Sequence, residues 1–383
     1  MSGKSLSNKT IVLDGLVEVS SKELSDTEYK YKMTIVEPYD IPMPVIFSDE
    51  PPWHTIAYFG GPWLPMANVG RFTKYASEIQ NPLNALEIPE KRENIIQGIL
   101  KLTENPNVLF SNDRDTLNND LEMLLKLKEK RLYKQWQQKT KTKIRTISTP
   151  NPELDNILKK YVKRIIMKEH AHPKARGGEL GWSPAKMIKA HMPFNTVLSC
   201  DISQAFQSAE SNFVFEFYYN LASKYLPENM AGDTAGFLTT LSTVAYYRSG
   251  NYALPQGSPI SMALFNRMLY PIDENSERIC QGNGMQYSRW VDDIIITSQK
   301  PHENHYRFTG VLSEIWMSNP MPIHKVFFQN KEPFYILGQE IRGYNIIQSK
   351  DDSVKNARQS ISESYYRDSF EDAFDPGGYS GQF

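Results

Sequence analysis

The chain predicts an α+β fold, and three features of its sequence lead there. Apolar and polar residues alternate over stretches 10–19 and 29–36, the two-residue period of short strands. From about Asn84 to Trp136 the pattern turns helical. It is clearest over Asp115–Tyr133, where Leu117, Leu121, Leu124, Leu125, Leu127 and Leu132 fall mostly on one helix face. Further on, Trp290-Val291 and Ile294-Ile295-Ile296 flank an acidic pair, which reads as a hairpin with Asp292 and Asp293 at its turn. A length of 383 residues, with 40% hydrophobic and 23% charged, gives a sizeable core in two or three domains, or one domain with lobes.

Net charge is −1, but the charge is unevenly spread. Residues 126–145 carry nine basic side chains (Lys126, Lys128, Lys130, Arg131, Lys134, Lys139, Lys141, Lys143 and Arg145) against the single acid Glu129. A second basic stretch, Lys159 to Lys189, includes Arg164, Lys168, Lys174 and Arg176. The last 33 residues lean acidic. A basic middle in a near-neutral protein suits a polyanion lying along one lobe, although a charge run is also what a solvated helix face looks like. The two cysteines, Cys200 and Cys280, are too few for a disulfide framework or a four-ligand zinc site, so a reducing, cytoplasmic setting is expected. No run reaches the roughly 18 apolar residues of a membrane helix, and the N-terminus has no apolar signal stretch. Residues 51–66 are rich in Pro and Gly and read as loop.

Three segments carry candidate chemistry. Thr196 to Cys200 reads as a short buried strand with Asp201 at its end, where a carboxylate can face a cleft. Phe206 opens a helical pattern running on through Phe213, Phe215, Tyr218 and Leu221. In the second segment, Pro255, Gly257 and Pro259 force a fixed turn. Ser258 or Ser261 can cap the helix that follows, Met262 to Ile272. Gly257 lets backbone approach a ligand closely, and Gln256 both donates and accepts hydrogen bonds at that spot. The third is the Asp292-Asp293 hairpin. Burying adjacent carboxylates without a cation is costly, so the turn is either solvent-exposed or a site for a hard divalent ion such as Mg²⁺.

Taken in order, these segments resemble the palm of reverse transcriptases. That family's motifs stand in this chain as Asp201-Ile-Ser-Gln-Ala-Phe206, Leu254-Pro-Gln-Gly-Ser-Pro-Ile-Ser261 and Trp290-Val-Asp-Asp293. Residues 334–341 resemble the family's primer-gripping hairpin, and 143–166 the fingers segment of bacterial retron and group II intron enzymes. The resemblance spans about residues 125–345. It implies a right-hand polymerase fold: an N-terminal extension over 1–125, fingers over 126–195, a palm over 196–341, and a shortened thumb with a flexible acidic tail over 342–383.

The resemblance also implies roles. Asp201, Asp292 and Asp293, with the backbone carbonyl of Ile202, hold two Mg²⁺ ions, with Mn²⁺ as a substitute. Phe206 falls at the family's steric gate against a ribose 2′-hydroxyl. Gln256 and Gly257 meet the incoming dNTP, Lys143 and Arg145 meet its triphosphate, and Lys325 lies near the leaving pyrophosphate. The implied partners are dNTPs, an RNA template or non-coding RNA, and a DNA or RNA primer. A homo-oligomer or a partner subunit could supplement the short thumb, and no membrane is involved. The expected role is antiphage defence by a stand-alone bacterial enzyme. Trp290 departs from the family's usual tyrosine. Competing readings are template-independent or protein-primed synthesis, with Tyr365, Tyr366 and Tyr379 as candidate primers, and a catalytically silent RNA-binding protein on the same palm.

Overall fold

The computed structural model describes residues 8–13, 17–23, 29–35, 54–56, 83–104, 113–126, 132–139, 144–246, 252–300, 305–318, 323–330 and 332–348. The strands in chain order are β1 (Asn8–Leu13), β2 (Val17–Glu23), β3 (Tyr29–Ile35), β4 (His54–Ile56), β5 (Tyr133–Lys139), β6 (Ile144–Pro150), β7 (Thr196–Ile202), β8 (Val244–Ala245) and β9 (Tyr252–Ala253). There follow β10 (Gln286–Trp290), β11 (Asp293–Ser298), β12 (Ile323–Gln329), β13 (Phe334–Ile336), β14 (Gln339–Arg342) and β15 (Asn345–Gln348). The longer helices are α1 (Pro89–Thr103), α2 (Arg114–Leu125), α3 (Ser211–Ala222), α4 (Glu228–Ser242), α5 (Ser261–Met268), α6 (Tyr270–Gly282) and α7 (His305–Ser318). The mixture of helix and sheet bears out the α+β expectation. No helix among the described residues is long and apolar enough to cross a membrane.

A five-stranded antiparallel sheet, ordered β10-β11-β7-β12-β4, positions the candidate site. It is covered on both faces. Leu198, Cys200, Ile202, Ile294, Ile296 and Phe328 join the main core with the helices. Val197 and Ile295 point the other way, into a second cluster with Met187, Ile188, Phe334, Ile336 and Ile341. Two covered faces explain why β11 reads as an unbroken isoleucine run instead of an alternating strand. The back cover includes the predicted hairpin of residues 334–341, whose tight turn carries positive φ at both Leu337 and Gly338, 50° and 73°. β14 runs across position 341 and β15 pairs with it, so this small sheet extends to Gln348.

Several sequence readings change. The helix expected over Asp115–Tyr133 ends at Leu125, and Tyr133 opens β5. Tertiary contacts override local periodicity: β5 pairs along its length with β6, and the Tyr133 hydroxyl donates to the Leu241 carbonyl at 2.7 Å. The helix expected over Met262–Ile272 is two helices, α5 and α6, meeting at Leu269 with Pro271 in the first turn of the second. Neither Ser258 nor Ser261 caps α5. Its N-cap is Ile260, and the Ser261 hydroxyl donates to the Pro255 carbonyl at 2.7 Å. Part of the expected loop over 51–66 is strand: β4 pairs with β12 at the sheet edge. Lys143, Tyr365, Tyr366 and Tyr379 lie outside the described residues, as does the side chain of Lys325.

Helix α1 crosses α4 at Gly98. A Cβ there would stand 2.0 Å from Thr234 Oγ1 and 3.0 Å from Thr234 Cβ. Gly98→Ala should therefore lower stability although Ala is the better helix former. Overpacking costs about 1–3 kcal/mol against a propensity gain of about 1 kcal/mol. Urea unfolding should show the loss, and the pair Gly98→Ala, Thr234→Ala should restore stability. A stabilised single variant would refute this reading of the crossing.

Candidate active site

The sheet brings the sequence-distant acids together. In the β7–β11 ladder Asp201 faces Asp293, and the Ile202 amide donates to the Asp292 carbonyl at 2.8 Å. Asp201 is not the last residue of its strand, since β7 continues to Ile202. All three acids reach solvent in part, with Asp292 exposed at the turn and Asp201 and Asp293 half-buried. Beneath them, burial first and then the carboxylates of Asp201 and Asp293 push the Cys200 thiol well above its usual range, so it stays protonated. Cys200 and Cys280 are both buried and unbridged.

This donor set, three carboxylates clustered at one end of the neighbouring strands β7 and β11, fits the chemistry of a hard divalent cation. The side chains themselves are not gathered to a point. Among the described residues no three His, Cys, Asp or Glu side chains converge as the ligands of an ion. The backbone pairing brings Asp201 and Asp293 opposite one another and Asp292 next to them.

The turn holding Asp292 is tight. Val291 has φ of 57°, whereas Asp292 does not have positive φ. Positive φ at the first central residue alone is the pattern of a type II′ turn, a place that favours Gly. A β-branched residue there stores strain of about 1–3 kcal/mol.

The second motif, residues 253–261, is held through its own carbonyls. Leu254 accepts from the Tyr246 hydroxyl at 2.7 Å, Pro255 from Ser261, and Gln256 from the Ser148 amide of β6 at 2.7 Å. Gly257, at φ of 118°, is exposed, but a Cβ on it would lie 2.9 Å from Ile147 Cγ2 and 3.2 Å from the Ser148 carbonyl. A close backbone approach is thus made here to the β5–β6 hairpin. That hairpin carries exposed Lys134, Trp136, Lys139 and Arg145. The motif is thus tied to the basic hairpin through Ser148 and Ile147. Phe206 lies on the helical turn Ala205–Ser208 after left-handed Gln204 (φ of 46°), half-buried and edge-on to Phe265 at 5.5 Å between centroids.

Residues unforeseen in the sequence support the site. Asn266 of α5 and Asp273 of α6 are both fully buried. A polar Asn266 within an apolar run, with Asp273 at its end, was the available signal. His191, 2% exposed, faces Thr297 of β11, with Nδ1 and Oγ1 at 2.8 Å. Burial, helped by Arg176 and Lys174, pushes its pKa down to about 3. The unfolded value is near 6.5, so the folded state binds fewer protons between these values. This contribution is whole above pH 6.5 and is lost as pH falls toward 3. Between pH 8 and pH 5 the protein should lose about 2 kcal/mol through this group by linkage. His191→Gln should flatten that part of the pH dependence of urea unfolding. An unchanged slope would contradict the assignment.

A strand-borne acid beside an Asp-Asp turn, served by a basic hairpin, defines a site of the kind that handles hard cations and phosphates. Comparison with known proteins narrows the class. The family model described as "Reverse transcriptase (RNA-dependent DNA polymerase)" matches residues 129–341, more than half of the chain. The chain belongs to that family. It is similar to the retron Ec86 reverse transcriptase of Escherichia coli, 25% identical over 169 residues, covering 44% of this chain and 49% of the relative. It is 29% identical over 170 residues to the retron Se72 reverse transcriptase of Salmonella heidelberg, covering 44% and 42%. With the retron Mx162 reverse transcriptase of Myxococcus xanthus it shares 24% over 177 residues, covering 43% and 35%. The chain spans less than half the length of these relatives.

Proposed function

We propose that this chain is an RNA-directed DNA polymerase whose active site is the edge formed by Asp201, Asp292 and Asp293. The carrying observation is the pairing of Asp201 with Asp293 across β7–β11, inside the span matched by the family. On this reading residues 196–341 form the palm, 126–195 the fingers, 342–383 a short thumb and tail, and 1–125 an extension.

The three carboxylates and the Ile202 carbonyl would hold Mg²⁺, with Mn²⁺ as substitute. When bound, the metal acidifies the primer hydroxyl and neutralises charge on the triphosphate. The protein's own groups do the positioning. Gln256 and Gly257, anchored through Ser148, shape the dNTP seat. Arg145, exposed on β6, offers a fork of donors to phosphate oxygens; Lys143 is assigned to the same triphosphate and Lys325 to the leaving pyrophosphate. An RNA template lies along the basic hairpin, and a retron-type non-coding RNA with a role in antiphage defence is the biological setting that the resemblance favours. The decisive assay is incorporation of labelled dNTP on a primed RNA template with Mg²⁺. Template-dependent DNA product supports the reading, and its absence across Mg²⁺ and Mn²⁺ overturns it.

A further inference from the structure

The strained residue Val291 immediately precedes Asp292, and a buried guanidinium grips it. Arg289, 1% exposed, sends Nη1 to the Val291 carbonyl at 2.6 Å and to Asn266 Oδ1 at 3.1 Å. Its Nε and Nη2 fork onto both carboxylate oxygens of Asp273, at 2.8 and 2.7 Å. Asp273 is 0% exposed and also accepts from the Tyr287 hydroxyl at 2.7 Å. The turn is confined from another side as well. A Cβ on Gly177 would lie 2.5 Å from the Val291 nitrogen and 2.8 Å from the Trp290 carbonyl carbon. Asn266 Nδ2 donates to the Gly177 carbonyl at 2.8 Å, so Asn266 of α5 touches both restraints on the turn. The Arg289 main chain is pinned too, its amide donating to Lys174 at 2.8 Å and its carbonyl accepting from Arg176 at 2.9 Å.

We infer that Arg289, anchored by Asp273, is a positioning residue that fixes the Val291-Asp292 turn so that the Asp292 carboxylate stands where metal and substrate need it. This rests on the polymerase reading of the same site. Stability alone does not account for the arrangement. A buried ion pair adds little over well-packed apolar residues of the same volume, yet losing one partner is severe. What only arginine supplies is geometry: two donors bind the anchor while a third reaches the strained carbonyl. A lysine could meet Asp273 but has no fork with which to span both.

The test uses Arg289→Lys and the pair Arg289→Met, Asp273→Leu, which removes both buried charges together. Three measurements are made on each: thermal unfolding, dNTP incorporation, and Mn²⁺ binding by electron paramagnetic resonance. The binding sample holds dNTP and a primer ending in a dideoxynucleotide, which cannot react. We expect folded variants whose Mn²⁺ midpoint rises about tenfold, as for lost supports of metal ligands. We expect kcat to fall about a hundredfold, the scale of a 1 Å misplacement, with primer–template affinity unchanged. A double variant that folds, binds Mn²⁺ and turns over like wild type would reduce Arg289 to core packing. Should the double variant fail to fold, Arg289→Lys decides in the same way. If wild type itself makes no DNA, the polymerase reading fails, and the Mn²⁺ midpoints still judge the positioning role separately.

Discussion

Asp292→Ala should leave a folded protein that makes no DNA. The side chain sits exposed at a turn, and the contact that stitches that turn to β7 uses the Asp292 main-chain carbonyl, which the substitution keeps. Stability should therefore change by no more than about 0.5 kcal/mol. Activity should fall about 10³-fold or more, because the lost group is aimed at charge that develops in the reaction. Removing a negative charge from an edge that faces phosphates should leave primer–template binding equal or slightly tighter. Asp201→Ala should behave alike, since Asp201 is paired with Asp293 on the neighbouring strand. The measurements are thermal unfolding, filter binding of primer–template, and incorporation with Mg²⁺ and with Mn²⁺. Wild-type incorporation by a folded Asp292→Ala protein would remove the carboxylate edge from the chemistry.

The acids of this site were readable in the sequence because each lies beside a strong local signal. Asp201 reads as the end of a buried strand and Asp292-Asp293 as a turn in an apolar run; both strands exist, but β7 runs on to Ile202 and Asp293 already opens β11, leaving Val291-Asp292 as the turn. Their pairing across a 90-residue gap was legible only through resemblance to a family, since strand order is not a local property. Other features were out of reach for nameable reasons. Nothing about Val291 announces a left-handed conformation, because turns of this kind normally show Gly or Asn. The β5 strand was hidden inside a leucine-spaced, lysine-rich stretch whose helical period ended with α2 but whose polarity did not. His54–Ile56 reads as loop because its neighbours are prolines, and only β12 makes it a strand.

The buried polar network was the largest omission, and it bears on how the site is built. Arg289, Asp273, Asn266 and Gly177 come from two helices, a strand and a loop, so no single window of sequence contains their logic. Their cost in desolvation is offset by mutual hydrogen bonding among the carboxylate, guanidinium and amide. The backbone beneath the acids is thereby fixed.

Phe206→Ala should let ribonucleotides in. The ring sits on a short helical turn just past the β7 acid, and its half-buried state gives it two candidate jobs. One is packing, edge-on against Phe265 of α5. The other is to occupy the space a ribose 2′-hydroxyl would need. Packing alone predicts a lower melting temperature with unchanged sugar preference. A steric gate predicts that the ratio of kcat/KM for dNTP over rNTP falls about a hundredfold, the scale at which an apolar pocket refuses an added hydroxyl. The dNTP value itself should stay within about tenfold, because the carboxylates and the hairpin bound to Gln256 are untouched. Phe206→Leu, keeping apolar contact with Phe265 but a narrower wall, should fall between. Matched incorporation series with both nucleotide types read the ratio directly. If Phe206→Ala melts earlier yet discriminates as well as wild type, the ring belongs to the core and sugar selection must be sought elsewhere along the seat.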